Sequence, residues 1–282
     1  MQIMEYIRKA LRNPNFGKTN ADKIASSVFL IGGVFTMWYE LYHVMPTYQL
    51  AVSTQMFNYF MAAWCFTGAL TNWYKLISTR TFAYSVELND RKESDWRYCE
   101  RCFQFSPPRC HHCTVCNVCV LKRDHHCWFA GCCIGFSNQR FYICMVVYIW
   151  LAALYSNVFN ALYVYRVMGG FGLSSIFSLA FPHGAAVLGL VDFHQFCISV
   201  VSFIGFALLF LFSWLLQIQL TQMYHGQTKH ERKQGITQYD LGWRKNVEEV
   251  LGHRYKLVLL WAWIPSQLLG DGVTFTKEAK DQ

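Results

Sequence analysis

Nine of the twelve cysteines fall between Cys99 and Cys133, a polar, basic stretch flanked on both sides by long apolar runs. Structural zinc takes four thiolate or imidazole ligands, commonly from pairs spaced by two to four residues. Cys99/Cys102 and Cys113/Cys116 are such pairs, and His112, Cys119, His126 and Cys133 supply four more donors. Eight candidates suffice for two closed sites. Disulfides or ordinary buried cysteines account poorly for thiols this dense beside well-spaced histidines. Cys110, Cys127 and Cys132 remain over.

Of these three, Cys127 follows Asp124 and His125 closely. A thiol, a base and a carboxylate that orients the base are the parts of an activated nucleophile. The thiolate is the reactive form, and the neighbouring Lys122, Arg123 and bound metal would favour it. Chemistry alone leaves a second reading open, in which Asp124-His125-His126-Cys127 is a third zinc knuckle.

Cys99-x2-Cys102, Pro107-Pro108-Arg109, His112-Cys113, Cys116, Cys119, Asp124-His125-His126-Cys127, Cys133, Gly135 and Asn138 together resemble the cysteine-rich domain of the DHHC-type protein S-acyltransferases, or palmitoyltransferases. The resemblance implies a two-step reaction in which Cys127 takes a long-chain acyl group from acyl-CoA and passes it to a protein cysteine. It implies His125 as general base, Asp124 as its orienter and His126 as a zinc ligand. One zinc would take Cys99, Cys102, His112 and Cys119; the other would take Cys113, Cys116, His126 and Cys133. Two departures stand out: Trp128-Phe129 replaces the family's Pro-Trp after the nucleophile, and Cys132 replaces an Asn. Phe129 still offers an aromatic to the start of the acyl chain, while Cys132 competes with Cys133 for metal.

These groups need a support. The chain is 54% hydrophobic and 15% charged, against about 25% charged in soluble domains. Runs at 24–45, 50–70, 141–165 and 195–220 approach the roughly 20 residues needed to cross a bilayer as a helix. The sequence therefore predicts an all-α polytopic membrane protein with four transmembrane helices and a small cytosolic zinc-stabilised domain. Its parts are an N-terminal tail (1–23), the first two spans (24–70), a connector with the cysteine-rich domain (71–140), the last two spans (141–220) and a C-terminal segment (221–282). The net charge of +8 would suit nucleic acid only if clustered on one face. Here it sorts by loop. The tail holds five basic residues, 71–140 ten and 221–282 nine, but 43–50 none and 166–194 only Arg166. Four spans put every rich segment in the cytosol. A weak run at 174–191 is then re-entrant or interfacial. Glu40, near the end of the first run, is expected to reach the interface.

Arg109, Lys122, Arg123 and Arg140 are candidates for the CoA phosphates. Thr228 and Glu231 match a family motif that packs the C-terminal segment against the catalytic domain, with Lys229 replacing a Thr. Asn246 matches a structural hydrogen-bonding position. The ending Gly270-Asp271-Gly272-Val273-Thr274-Phe275, with Trp128-Phe129, resembles the divergent subfamily of zinc-finger DHHC-type member 24. The resemblance implies membrane lipids and membrane-associated proteins as partners, no nucleic acid, and Golgi or endoplasmic reticulum membranes. A catalytically weak zinc-containing scaffold is the alternative function. A transporter fits less well, for want of paired intramembrane charges.

Overall fold

A computed structural model describes residues 19–83 and 93–277; most of the predicted N-terminal tail lies outside the described residues. Helix α1 (Asn20–Tyr39) continues through a π-helical turn (Glu40–Val44) and a 3-10 turn (Met45–Tyr48). Helix α2 (Val52–Ser78) follows. Three hairpins come next: β1 (Arg97–Cys99) with β2 (Gln104–Ser106), β3 (His111–Cys113) with β4 (Val118–Val120), and β5 (His125–Cys127) with β6 (Cys132–Ile134). Helices α3 (Gln139–Val167), α4 (Leu173–Ala180), α5 (Pro182–Val187), α6 (Phe193–Tyr224), α7 (Lys229–Gln234) and α8 (Trp243–Leu251) complete the order.

The all-α expectation is therefore corrected. The cysteine-rich segment is built from strands, all three residues long, too short for their period to register in the sequence. Three of the four expected spans have both the length and the apolarity to cross a membrane. Among the described residues, Asn20–Tyr48, Gln139–Val167 and Phe193–Tyr224 are long and apolar enough to cross a membrane. Helix α2 has the length, at 27 residues, but Gln55, Asn58, Asn72 and Lys75 dilute its apolar character. The run at 174–191 forms two short helices parted at Phe181, ahead of Pro182; neither is long enough to span. Ile24, Val28, Ile31 and Val34 of α1 and Phe203, Ile204, Phe206 and Phe210 of α6 are exposed. Apolar faces this continuous require a hydrocarbon surround. The chain is a membrane protein.

The described residues divide into two compact units, and the four long helices contribute to both. One unit spans Gly32–Ala69 and Val146–Gln217. In it Gly68 lies against the Tyr148 ring so closely that a Cβ would collide with it. Here Glu40 departs from its expected place at the interface. It is buried, accepting hydrogen bonds from the Ser156 hydroxyl and the Asn160 amide. A side chain at a helix end snorkels only where nothing nearer solvates it, and these two donors do.

The other unit holds the residues up to Ile31, Leu70–Met145 and those from Ile218 onward. Cysteines supply six of the fourteen buried residues in its two small apolar clusters. Cys102, Cys110 and Cys119 pack with Trp96, Leu121 and Phe136, while Cys113, Cys116 and Cys133 pack with Phe82 and Val120. Asn138 pins the exit of the last hairpin. Its Oδ1 accepts from the Gly135 N–H (2.9 Å), and its Nδ2 donates to the Cys133 carbonyl (3.0 Å).

Candidate functional site

Strand alternation sorts the chemistry. Successive side chains on a strand point to opposite faces, and directly paired residues share a face. In the last hairpin His126 pairs with Cys133, while Cys127 pairs with Cys132. His126 and Cys133 therefore share one face; His125, Cys127 and Cys132 share the other. In the middle hairpin His112 pairs with Cys119, and the adjacent Cys113 faces oppositely. Neighbours in sequence are thereby dealt to different sites.

Two groups of four donors result: Cys99, Cys102, His112 and Cys119; and Cys113, Cys116, His126 and Cys133. The ligand atoms of each group lie within 4.8 Å of one another. In the second group His126 Nδ1 is 3.4 Å from Cys116 Sγ and 3.8 Å from Cys133 Sγ, and the two sulfurs are 3.7 Å apart. Bonds of about 2.0–2.3 Å at tetrahedral angles give edges of this size, so both sets fit zinc. Cys110 belongs to neither set but meets Cys119. Cys132 also belongs to neither, since the pleat turns it away from its neighbour Cys133.

On the opposite face of the last hairpin, His125 Nδ1 donates to Asp124 Oδ2 at 2.8 Å, and the His125 ring also meets the Cys127 thiol. Asp124 is buried and fully solvated by donors. Gln219 Nε2, at the end of α6, reaches Oδ2 at 3.0 Å, and the Lys229 backbone N–H reaches Oδ1 at 2.6 Å. Burial alone would raise the Asp124 pKa, but His125, Gln219 and Lys229 prevail and hold it below the ordinary carboxylate range. Burial also works against the His125 cation, yet Asp124 and Cys127 lift its pKa to about 9. The Tyr142 ring stands edge-on to the imidazole at 5.0 Å. Thiol, imidazole and carboxylate thus form a connected series.

A family model described as DHHC palmitoyltransferase matches residues 92–236, just over half of the 282-residue chain. The chain belongs to this family. Curated relatives include the probable palmitoyltransferase ZDHHC24 of Rattus norvegicus, 34% identical over 193 residues and 64% of each chain. The ZDHHC24 of Danio rerio is 38% identical over 184 residues, covering 64% of this chain and 61% of its own. The palmitoyltransferase ZDHHC22 of Mus musculus is 35% identical over 171 residues, covering 56% of this chain and 61% of its own. The matched region spans a little under two thirds of these relatives' length.

The DHHC hairpin is held from several directions. Thr228 caps α7 in a reciprocal box with Glu231, which aims the Lys229 N–H at Asp124. That contact uses backbone, so the departure at 229 leaves it intact. Glu231 is also bidentate with Arg109, Oε1 to Nε at 2.7 Å and Oε2 to Nη2 at 2.8 Å. Arg109 further donates to the Gly226 carbonyl at 2.7 Å and lies over the Tyr239 ring. Gly226 has φ +60°, and a Cβ there would meet the Tyr239 carbonyl at 2.6 Å. Asn246 donates to the Tyr224 carbonyl (2.8 Å) and Asp240 (2.7 Å), and accepts from the Leu241 N–H (3.0 Å).

These contacts correct the phosphate expectation. Arg109 is 4% exposed and committed to Glu231; Lys122 is 3% exposed and paired with Glu249 at 3.3 Å. Burial drives the Lys122 pKa down to about 8, against the pull of Glu249. Arg123 faces the Cys113 and Cys133 thiols. Arg140 remains half-buried, with Nη1 on the Ser266 carbonyl at 2.6 Å. Breaking a buried ion pair from one side costs about 3–5 kcal/mol. Glu231→Gln should therefore lower stability by that order in thermal or denaturant unfolding. Arg109→Lys should approach it, because an ammonium cannot reproduce the fork.

Sequence reading missed Asp22, Ser26, Trp73, Gln219 and Glu249. Asp22 is fully buried at the start of α1; its Oδ1 lies 3.0 Å from His126 Nε2, and its Oδ2 accepts from the Thr19 N–H at 2.9 Å. Thr19-x-x-Asp22 ahead of an apolar run is a local capping signal that marks the helix start, though not its partner. Ser26 donates to the Phe129 carbonyl (3.1 Å), as does Trp73 Nε1 (3.1 Å), anchoring the turn after Cys127. A carboxylate on the outer nitrogen of a metal-bound imidazole fixes its tautomer, and losing it weakens metal retention about 10- to 100-fold. Asp22→Asn should accelerate zinc release to a chelator within that range. A release rate equal to wild type would refute the role.

Proposed function

We propose that the protein is a membrane-embedded protein S-acyltransferase whose acyl carrier is Cys127. The observation that carries this reading is the Asp124–His125–Cys127 series, held on the face of the hairpin that zinc does not use. In the first step His125 takes the Cys127 proton, the thiolate attacks the acyl-CoA carbonyl, and CoA leaves as its thiol after protonation. In the second step a substrate cysteine attacks the new thioester and restores Cys127. Asp124 holds the imidazole with Nδ1–H toward itself, leaving Nε2 for the thiol.

The two zinc ions are structural in this reading and lock the hairpin without taking part in acyl transfer. Helix α2, long enough though less apolar, is a fourth span beside the three apolar ones. The loop distribution of basic residues then puts 1–23, 71–140 and 221–282 in the cytosol. The domain limits drawn from sequence stand as part of this proposal, as does residence in Golgi or endoplasmic reticulum membranes. Phe129 contacts the first carbons of the acyl chain, and Arg140 is the remaining candidate for a CoA phosphate. Substrates are membrane-associated proteins with cytosolic cysteines.

Purified protein given alkyne-tagged palmitoyl-CoA should carry a hydroxylamine-sensitive label that mass mapping places on Cys127, absent in Cys127→Ser. Two bound zinc ions with no label would instead point to a scaffold of the same fold.

A further inference from the structure

Cys127 stands directly across the hairpin from Cys132. Cys132 is one of the positions where this chain departs from the pattern it otherwise matches, and the pleat turns it away from the metal face. Directly paired antiparallel residues have Cα atoms about 4.5–5.5 Å apart, with Cβ atoms on one side of the ribbon. Disulfides bridge Cα atoms about 4.4–6.8 Å apart. Both residues are buried, and both carry thiols. The turn between them is tight: Gly131 adopts φ +57°, and its N–H closes on the Trp128 carbonyl at 3.1 Å. Ser26 and Trp73 fasten that turn from outside, so the two strands cannot easily splay.

We propose that Cys127 and Cys132 form a reversible dithiol–disulfide pair, a modification site that takes hydroperoxides as oxidant and withdraws Cys127 from acyl transfer. The Cys127 thiolate attacks the peroxide, giving a sulfenic acid and releasing water or the alcohol. The Cys132 thiol then attacks the sulfenic sulfur, the S–S bond forms, and water leaves with the departing hydroxyl. Two thiols and one hydrogen peroxide thus become one disulfide and two waters. A cellular dithiol reverses the change by thiol–disulfide exchange. The pairing has two effects. It suspends the carrier, and it catches the sulfenic acid before further oxidation makes the loss permanent. Once Cys127 holds an acyl group its sulfur is a thioester and no longer a thiolate that can attack peroxide, so loaded protein is protected from oxidation. The consequence for activity rests on the acyl-carrier reading; formation of the disulfide does not.

The test uses full-length protein in detergent micelles, treated with hydrogen peroxide, blocked with N-ethylmaleimide and digested without reductant. The expected result is a peptide joining Cys127 to Cys132, with both zinc ions retained. Dithiothreitol should restore alkyne-palmitoyl labelling in wild type. In peroxide-treated Cys132→Ala, which labels normally before oxidation, recovery should be about tenfold lower and Cys127 should appear as sulfinic acid. A disulfide from Cys132 to Cys133 or Cys116, or Cys127 oxidised beyond sulfenic acid in wild type, would overturn the proposal. Protein that forms the Cys127–Cys132 bond but never accepts an acyl group would leave the dithiol standing and remove the acyltransferase reading.

Discussion

Asp124→Asn should slow acyl loading of Cys127 by about 10²- to 10⁴-fold while leaving zinc content and fold unchanged. Every partner of this carboxylate is a donor: His125 Nδ1–H and Gln219 Nε2 on one oxygen, the Lys229 N–H on the other. An amide has one acceptor oxygen where the carboxylate has two. If the Asn oxygen stays on Lys229, its NH2 faces His125 and selects the tautomer with hydrogen on Nε2. That tautomer cannot take the Cys127 proton. If the oxygen turns to His125, the NH2 opposes a backbone donor that the α7 cap holds in place. Either outcome misplaces the base or leaves a buried donor unmet.

The measurement is a single-turnover time course of labelled acyl-CoA with zinc stoichiometry taken on the same sample. An unchanged loading rate would remove Asp124 and the orientation argument together. Loss of zinc alongside the rate would recast it as structural. Gln219→Leu provides a graded comparison. It removes one neutral donor from Asp124, so its effect should be smaller and in the same direction.

How much of this was legible beforehand depended on the distance over which each feature is built. Cysteine spacing is local, and eight ligands could be named because knuckles repeat within a few residues. Which face each donor takes follows from strand pairing, and three-residue strands leave no period to read. Cys132 therefore looked like a rival for metal until its register was known. The burial of Glu40 is invisible in the sequence because its partners Ser156 and Asn160 lie 116 and 120 positions away. Arg109 hides its partner from the sequence for a similar reason. Its carboxylate partner Glu231 is 122 positions on, and a cation without a visible counter-ion reads as a ligand for phosphate. Helix α2 shows the reverse problem: its length was evident, but its Asn and Gln residues reduce its hydropathy without shortening it.

Removing zinc should have the largest structural effect. Three-residue strands paired two by two are far below the size at which a sheet is stable alone, and the two small apolar clusters there include the ligand thiols of Cys102, Cys119, Cys113, Cys116 and Cys133. Structural zinc contributes apparent free energies of about 10–16 kcal/mol at neutral pH, as large as a domain's whole net stability. Chelation should therefore melt residues 97–134, seen as alkylation of all nine cysteines in that region, while far-ultraviolet helicity largely persists. The two sites should also fail together. His112 and Cys113 are consecutive on β3 and serve different groups, so releasing one face frees the strand that presents the other. Cys133→Ala, which damages only the second group, should thus reduce bound zinc from two per chain to below one. A variant that keeps one full zinc with native protection of Cys99, Cys102 and Cys119 would show that the hairpins are stapled independently.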